Sequence, residues 1–381
     1  MGPANSIFID LIDNPVTVNQ YLNLIFRGTG NNKMQDVINS PDYLAYKFNF
    51  ETENVEFLPV DAGEICRVSA LKHEYIDPTR KLIPVPIGKL TGLLHTNSQA
   101  LLEKPPRFIF HTAFCASTFL SRCLDVKGVS TGLREPQLLL DAANAKRLLW
   151  RSKTTQLDYR QLARLALILL QKHARPGETL VIKPINSVNN IISELLEATG
   201  QTRSLMLYTD AKNFMLSTLR KGEGGKHTIR AMFDLLRCDF PHLANLSLSA
   251  MIHMTDWNII LTLWRLQIDQ AERALRQYSG KQVMASLYGE ELIHNPLESI
   301  RQANRFLDLG ISEEQISAIL ESDKRFEDAK ASGQRFSVKK RDETYQKLEQ
   351  FYGAELEQIF KWMLRNNPSV KLNPQLSAKL A

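Results

Sequence analysis

Residues 107–124 have the sequence RFIFHTAFCASTFLSRCL, in which the pattern changes twice. Phe108 to Phe110 form a short continuous apolar run, which is typical of a strand buried on both faces of a sheet. Ser117 to Leu124 follows as a predicted helix that begins with a hydroxyl residue, which favours an N-cap at that position. The sequence therefore predicts a strand, a turn at 111–116 and a helix in direct succession.

The alternation of strands and helices continues to the C-terminal part of the chain. Further strands are predicted at 179–182, 205–208 and 282–288, and further helices at 137–150, 157–173, 189–198, 214–219, 296–307 and 344–365. Strands that alternate with helices of about 10–15 residues indicate βαβ units. The predicted fold class is α/β, a parallel sheet flanked by helices. Because ligands bind at the carboxyl ends of parallel strands, we expect chemistry in the loops after Phe110, Ile182 and Tyr208.

The first hundred residues show a different pattern. Tyr46, Phe48 and Phe50 alternate with polar residues, and Val55 and Phe57 resume the alternation after a polar stretch, which predicts a hairpin. Prolines and glycines then interrupt the chain up to position 106. We predict a small α+β N-terminal domain or cap at 1–104 and an α/β domain with C-terminal helices at 105–381.

Composition restricts the class of protein. The chain has 381 residues, 44% of them hydrophobic and 23% charged, as in folded globular proteins and unlike disordered ones. Its apolar runs are far shorter than the ~20 residues of a membrane span, and no signal peptide is recognised, so we expect a cytoplasmic protein with no membrane partner. The net charge of +6 is dispersed, which predicts no nucleic-acid partner. Four cysteines without CxxC spacing predict neither a disulfide framework nor a metal site.

The loop at 111–118 is a candidate anion site. The start of a helix offers unpaired N–H groups and partial positive charge, and Ser117 and Thr118 add hydroxyl donors. The loop is not a Walker A sequence, because it has no glycine and no lysine where that motif needs them. Taken alone, it suits an ordinary helix start and an anion site equally well.

Several partial motifs follow one another along the chain, each near a predicted strand end. Ala113–Thr118 occupies the frame P-[KR]-S-G-T-T, and Lys183-Pro184 ends the next strand. Thr209–Ser217 keeps the serine of the frame R-[DN]-P-x-D-x-x-x-S. Leu287–Pro296 is close to Y-E-D-L-x-x-x-P, and Ile300–Leu309 to a helix that ends in F-L-G-L. Together these segments resemble the sulfotransferase family, over roughly residues 105–310.

The resemblance implies a P-loop nucleoside triphosphate hydrolase-like fold and a sulfuryl donor, 3′-phosphoadenosine 5′-phosphosulfate (PAPS), with no metal. It implies a small-molecule or glycan acceptor whose identity, like the oligomeric state, the sequence leaves open. The implied donor-binding residues are His111, Phe114, Cys115, Ala116, Ser117, Thr118, Thr209 and Ser217.

The resemblance also implies catalytic residues. Glu135, in Arg134-Glu135-Pro136, matches the glutamate that deprotonates the acceptor in glycan-directed members, whereas the histidine of cytosolic members is replaced by Ile185. Lys183 would stabilise the charge on the bridging oxygen. The alternative for Glu135 is a structural salt bridge to Arg134 or Lys183. Pro136 is expected to keep Glu135 extended.

The departures from the family pattern leave three functions open. The loop lacks its basic residue, and Thr209 replaces an arginine, which removes a bidentate phosphate clamp. Replacement charges are predicted at Arg122, Arg134, Lys183, Lys212 and the glycine-rich basic loop 220–226. The alternatives to sulfuryl transfer are a P-loop phosphotransferase, with Asp210 on magnesium, and a non-catalytic nucleotide- or partner-binding protein.

Overall fold

Two β-sheets and the helices around them form the part of the chain that the computed structural model describes, residues 32–61, 65, 70–71, 80–148, 157–278, 280–321 and 337–380. The N-terminal stretch 1–31 of the predicted first domain, Trp150 at the predicted end of one helix, and Cys66 lie outside these residues.

The N-terminal sheet is antiparallel and three-stranded. Helix α1 (Asn32–Asn39) precedes β1 (Tyr43–Asn49), β2 (Asn54–Pro59) and β3 (Ile83–Pro86), which pair in that order. Phe48 lies opposite Val55, so the predicted hairpin is confirmed. Two helices follow, α2 (Ile87–Thr96) and α3 (Ser98–Glu103).

The central sheet has five parallel strands in the order β5–β6–β4–β7–β8, so the first of them along the chain lies in the middle. Their bounds are Arg107–His111 for β4, Ser130–Arg134 for β5, Thr179–Lys183 for β6, Ser204–Tyr208 for β7 and Met284–Tyr288 for β8. Every crossover contains at least one helix. The predicted α/β class, a parallel sheet flanked by helices beside a small N-terminal sheet, is confirmed.

Helices of very different length connect these strands and close the fold. Up to β7 they are α4 (Ser117–Cys123), α5 (Gln137–Leu148), α6 (Tyr159–Gln171), a 3₁₀ helix (Asn186–Ile191) and α7 (Ile192–Ala198). Between β7 and β8 they are α8 (Ala211–Arg220), α9 (Gly222–Leu236), a 3₁₀ turn (Arg237–Asp239), α10 (Pro241–Ala244), α11 (Leu248–Ile252) and α12 (Asp256–Gln277). After β8 they are α13 (Gly289–His294), α14 (Pro296–Leu307), α15 (Glu313–Glu321) and α16 (Val338–Asn366).

Both faces of the central sheet are buried, as the apolar run at 108–110 predicts. Phe108 and Phe110 point into one core and Ile109 into the other. The first core also contains Phe57 of the N-terminal sheet and Leu162 of α6. The two sheets therefore share one apolar core, while the predicted domain boundary at 104/105 stays a prediction.

The predicted glycine-rich loop at 220–226 is wrong. Arg220 ends α8, Lys221 caps both helices, and Gly222 (φ +56°) begins α9. A Cβ at Gly225 would lie 2.5 Å from the Thr218 carbonyl oxygen, so this glycine lets two helices pack closely. The glycines serve helix packing here, and the segment forms no phosphate-wrapping loop.

Among the described helices, none has the length and apolar character that crossing a membrane requires.

Candidate functional site

The carboxyl ends of neighbouring strands meet at one edge of the sheet. Arg134 lies opposite Lys183, and His111 lies opposite Leu207 in the parallel registers. The residues that follow these strands are therefore close in space, as expected for a ligand site in a parallel sheet. We call this region, with the loop 112–118 after β4, the carboxyl edge.

The loop 112–118 has an unusual backbone. Phe114 (φ +62°) and Ala116 (φ +61°) both adopt the left-handed conformation, and Ala116 is the N-cap of α4. The predicted hydroxyl N-cap at Ser117 is wrong, because the chain enters the helix through left-handed Ala116 and Ser117 is already helical. Gly289 packs on this loop, since a Cβ there would lie 2.8 Å from the Cys115 carbonyl oxygen. Non-glycine residues with positive φ cost energy and cluster at functional sites.

Glu135 and Lys183 form a buried ion pair at the carboxyl edge. Lys183 Nζ lies 2.6 Å from Glu135 Oε1, and the side chains are 0% and 16% exposed, respectively. The Glu135 N–H also donates to the Lys183 carbonyl oxygen at 2.6 Å. The structure thus holds the lysine behind the glutamate and leaves the carboxylate as the more accessible member.

Glu135 is itself left-handed (φ +51°), so the expectation of an extended backbone there is wrong. Pro136 disfavours the right-handed helical region for Glu135, and the two hydrogen bonds to Lys183 hold the residue in the left-handed one instead. Phe114, Ala116 and Glu135 therefore place three strained backbone positions at one edge. Arg134 Nη1 lies 3.3 Å from Asp125 Oδ2.

His111 connects the start of the loop 112–118 to the backbone after β6 through its imidazole ring. Its Nδ1 lies 2.8 Å from the Thr112 carbonyl oxygen, and its Nε2 lies 3.0 Å from that of Pro184. Burial, and then the charge of Lys183, lowers the pKa of His111 to about 4. The imidazole is therefore neutral at pH 7 and carries one N–H, so it donates to only one of these two carbonyl oxygens. Its predicted contact with a donor stays a prediction.

Cys115 is a buried thiol that donates to the Thr112 carbonyl oxygen at 3.0 Å. Burial raises the pKa of Cys115 to about 11, although hydrogen bonds from Ser117 and the charge of Lys183 oppose the shift. A neutral thiol is a poor nucleophile. Ser117 is buried and Thr118 half-buried beside it.

Three buried amide side chains support the carboxyl edge, and sequence analysis missed them. Asn189 Nδ2 donates to the His111 carbonyl oxygen at 3.0 Å. Gln267 Oε1 accepts from the Ala113 N–H and from Asn186 Nδ2, both at 2.8 Å. A polar residue on the apolar stripe of α12 was the available signal for Gln267. These amides hold the loop by its backbone.

The second predicted donor frame, 209–217, begins at the end of β7. The Thr209 carbonyl oxygen accepts from Trp264 Nε1 at 2.9 Å. Asp210 is the N-cap of α8, where its Oδ1 accepts from the Asn213 N–H at 2.9 Å and its Oδ2 from the Tyr288 hydroxyl at 2.5 Å. These contacts occupy the carboxylate that the phosphotransferase alternative needs for magnesium.

Ser217, the residue kept from the family's frame, contacts the C-terminal helix. Its Oγ lies 2.5 Å from the Tyr345 hydroxyl, and both side chains are buried. The Arg341 guanidinium stacks on the Tyr345 ring at 4.4 Å. Neither Tyr345 nor Arg341 lies in a segment that resembles the sulfotransferase family, so sequence motifs did not point to them.

The other predicted replacement charges have different partners. Lys212 Nζ lies 2.8 Å from Glu349 Oε2 on the surface. Lys221 Nζ lies 4.2 Å from the centre of the Phe114 ring, which places a cation beside the loop 112–118. Within the described ranges, no group of three or more His, Cys, Asp or Glu side chains is arranged to hold a metal ion.

The residues at this edge fit an anionic nucleotide in two places. Thr112 Oγ1 and Thr209 Oγ1 are buried and have no hydrogen-bond partner among the described residues. The first lies beside the loop with Lys183 nearby, and the second begins the frame that contains Ser217. Buried hydroxyls without partners are costly, and a ligand oxygen can satisfy them. Each of the two predicted donor frames thus contains or adjoins a buried hydroxyl that an anionic group could satisfy.

Comparison with known proteins gives structural neighbours only. No protein-family model and no curated protein matches the chain. The sulfotransferase domain from the curacin biosynthetic pathway is 14% identical, with a TM-score of 0.37, over 57% of this chain and 78% of its own. Sulfotransferase STF9 from Mycobacterium avium is 14% identical, with a TM-score of 0.36, over 76% of this chain and 88% of its own.

Retinol dehydratase, solved with androsterone and the inactive cofactor PAP, is 13% identical, with a TM-score of 0.36, over 90% of this chain and 96% of its own. Such low TM-scores carry no argument about residue roles.

Proposed function

We propose that this chain is an enzyme that transfers a sulfuryl group from PAPS to a hydroxyl or amine of a small-molecule or glycan acceptor. The observation that carries the proposal is the buried Lys183–Glu135 pair, which lies at the carboxyl edge beside a strained, hydroxyl-bearing loop. Paired carboxylate and ammonium groups next to such a loop supply the acid–base and anion-binding groups that this chemistry needs.

The donor would be held by this chain's loop and helix starts. Ser117, Thr118 and the N–H groups of the turn would bind the phosphosulfate, and Thr209 and Ser217 would bind the 3′-phosphate. When bound, PAPS supplies the activated sulfuryl group. Protein groups would bind the donor, orient the acceptor and take its proton.

Glu135 is the proposed general base. Its side chain is 16% exposed, and the hydrogen bond from Lys183 Nζ to Oε1 fixes its direction. A carboxylate held in this way can take the proton of an acceptor hydroxyl as the new S–O bond forms. Lys183 contacts Glu135, and its ammonium is fully buried. We therefore propose that Lys183 acts first by positioning Glu135, and its contact with the bridging oxygen stays a prediction.

A non-catalytic nucleotide-binding protein is the second candidate. The loss of the basic residue from the loop 112–118 and of the arginine at position 209 favours it, because both charges act on the reacting donor in the family's pattern. The two candidates differ in turnover, whereas both predict nucleotide binding.

The test is a transfer assay with sulfur-labelled PAPS and a panel of hydroxyl and amine acceptors. We expect labelled product from the wild type, and at least ~10²-fold slower turnover from Glu135→Gln with unchanged donor affinity. Glu178→Gln is the matched control, because Glu178 is also a buried, paired glutamate but precedes β6 at the opposite edge of the sheet. Normal turnover by Glu135→Gln would remove Glu135 as the base.

A further inference from the structure

Arg341 is a buried guanidinium outside every segment that resembles a known motif. It lies in the first turn of α16 and is 6% exposed. Its two Nη atoms contact both carboxylate oxygens of Glu290, with Nη1 at 2.9 Å from Oε2. Nη1 also lies 3.2 Å from Asp342 Oδ1. The guanidinium is thus fully charged and held in a fork against a carboxylate from the start of α13.

Arg341 is linked to Ser217 through Tyr345. Its guanidinium stacks on Tyr345, whose hydroxyl contacts Ser217 Oγ at 2.5 Å. A hydrogen bond with Tyr345 is also among the causes that raise the pKa of Arg341, together with Glu290 and against the effect of burial. Serine, tyrosine and arginine therefore bring two hydroxyls and a guanidinium together in a buried place. We call these three residues, with Glu290, the Arg341 cluster.

The cluster has the composition of a phosphate site that is filled by a carboxylate of the chain itself. Arginine forks bind carboxylates and phosphates with the same bidentate geometry. Thr209 stands where the family's frame has an arginine, so that frame supplies no charge in this chain. Glu290 thus sits where an anionic group of a ligand would be neutralised.

We infer that Arg341 and Tyr345 form, with Ser217, the binding site for the 3′-phosphate of the donor, and that Glu290 occupies this site until the phosphate replaces it. The inference rests on the proposed function, because it names the residues that recognise one group of the proposed donor. The guanidinium for the 3′-phosphate would then come from α16, far along the chain from the frame at 209–217, in which Thr209 replaces the family's arginine.

The experiment compares two nucleotides that differ only in the 3′-phosphate. Isothermal titration of the full chain with adenosine 3′,5′-bisphosphate and with adenosine 5′-monophosphate gives a ratio of dissociation constants for each variant. We expect the wild type to prefer the bisphosphate. Arg341→Gln should reduce this preference by about tenfold to a hundredfold, the range for a charged hydrogen bond, and leave the monophosphate affinity unchanged.

Two further variants give results that a purely structural role does not predict. Tyr345→Phe removes only the hydroxyl and should lower the preference several-fold. Glu290→Gln keeps the side chain's size but removes the competing charge, so it should raise the preference by about threefold or more. If Arg341→Gln fails to fold in a thermal melt, these two variants decide the question. Arg301→Gln and Glu313→Gln are the matched controls, since this exposed pair joins α14 to α15 at 2.7 Å.

The possible outcomes separate the two proposals. A bisphosphate preference that falls in Arg341→Gln and rises in Glu290→Gln supports the inference. A wild-type preference that none of the three variants changes overturns the inference and leaves the proposed function standing. A wild type that binds neither nucleotide overturns both.

Discussion

Breaking the Lys183–Glu135 pair should destabilise the protein much more than replacing both partners together. Glu135→Leu leaves an ammonium with 0% exposure without its counter-charge, which should cost about 3–5 kcal/mol of unfolding free energy. Lys183→Met leaves a carboxylate that is 16% exposed and can gain some hydration, so we expect the lower end of that range. The double variant removes both charges and keeps apolar volume, and such replacements of buried pairs are often close to neutral.

The assay is urea denaturation of the wild type, both single variants and the double variant, analysed as a double-mutant cycle. We expect a coupling free energy of at least about 2 kcal/mol, with the double variant more stable than either single variant. Additive effects would refute the reasoning, because they would mean that the two groups do not compensate each other in the folded protein.

Three other predictions concern the loop and its support. Thr118→Ala should weaken bisphosphate binding by about 1–2 kcal/mol in calorimetric titration, and an unchanged affinity would remove this hydroxyl from the site. Gly289→Ala should lower both the melting temperature and the bisphosphate affinity, because its Cβ would lie 2.8 Å from the Cys115 carbonyl oxygen; a wild-type melt would show that the loop yields without cost. The pKa of His111 is lowered to about 4 from 6.5, so the unfolded state binds the extra proton between these values and the wild type loses stability as the pH falls from 6.5 to 4. Urea titrations should show that His111→Gln loses up to about 1.4 kcal/mol less per pH unit in this window, and equal slopes would contradict a neutral, buried histidine.

Local patterns predicted the architecture well. The run Phe108 to Phe110 alternates between two buried cores, which is what a continuous apolar strand in a parallel sheet requires. The same local logic placed Lys183 at the end of a predicted strand, whereas β5 was not among the predicted strands and Glu135 was assigned through the resemblance to the sulfotransferase family. The salt bridge to Lys183, one of the two interpretations of Glu135, is present in the structure, and its role in catalysis remains a proposal.

Contacts between residues far apart in sequence were not predictable. Tyr345 reaches Ser217 from a helix more than a hundred residues later, with Arg341 stacked on its ring, and no local pattern marks such an approach. Gln267 lies on an apolar helix face. The sequence shows that its amide is out of place there, but it does not show that the amide binds the backbone of the loop 112–118. Backbone conformation was equally hidden, since left-handed Ala116 has no sequence signature comparable to that of glycine.

Calorimetric titration of the wild type with adenosine 3′,5′-bisphosphate, followed by ATP with magnesium, tests the central claim most directly. We expect saturable binding of the bisphosphate without a metal, and much weaker binding of ATP with magnesium. Magnesium-dependent ATP binding that exceeds bisphosphate binding, or no binding of either nucleotide, would contradict it.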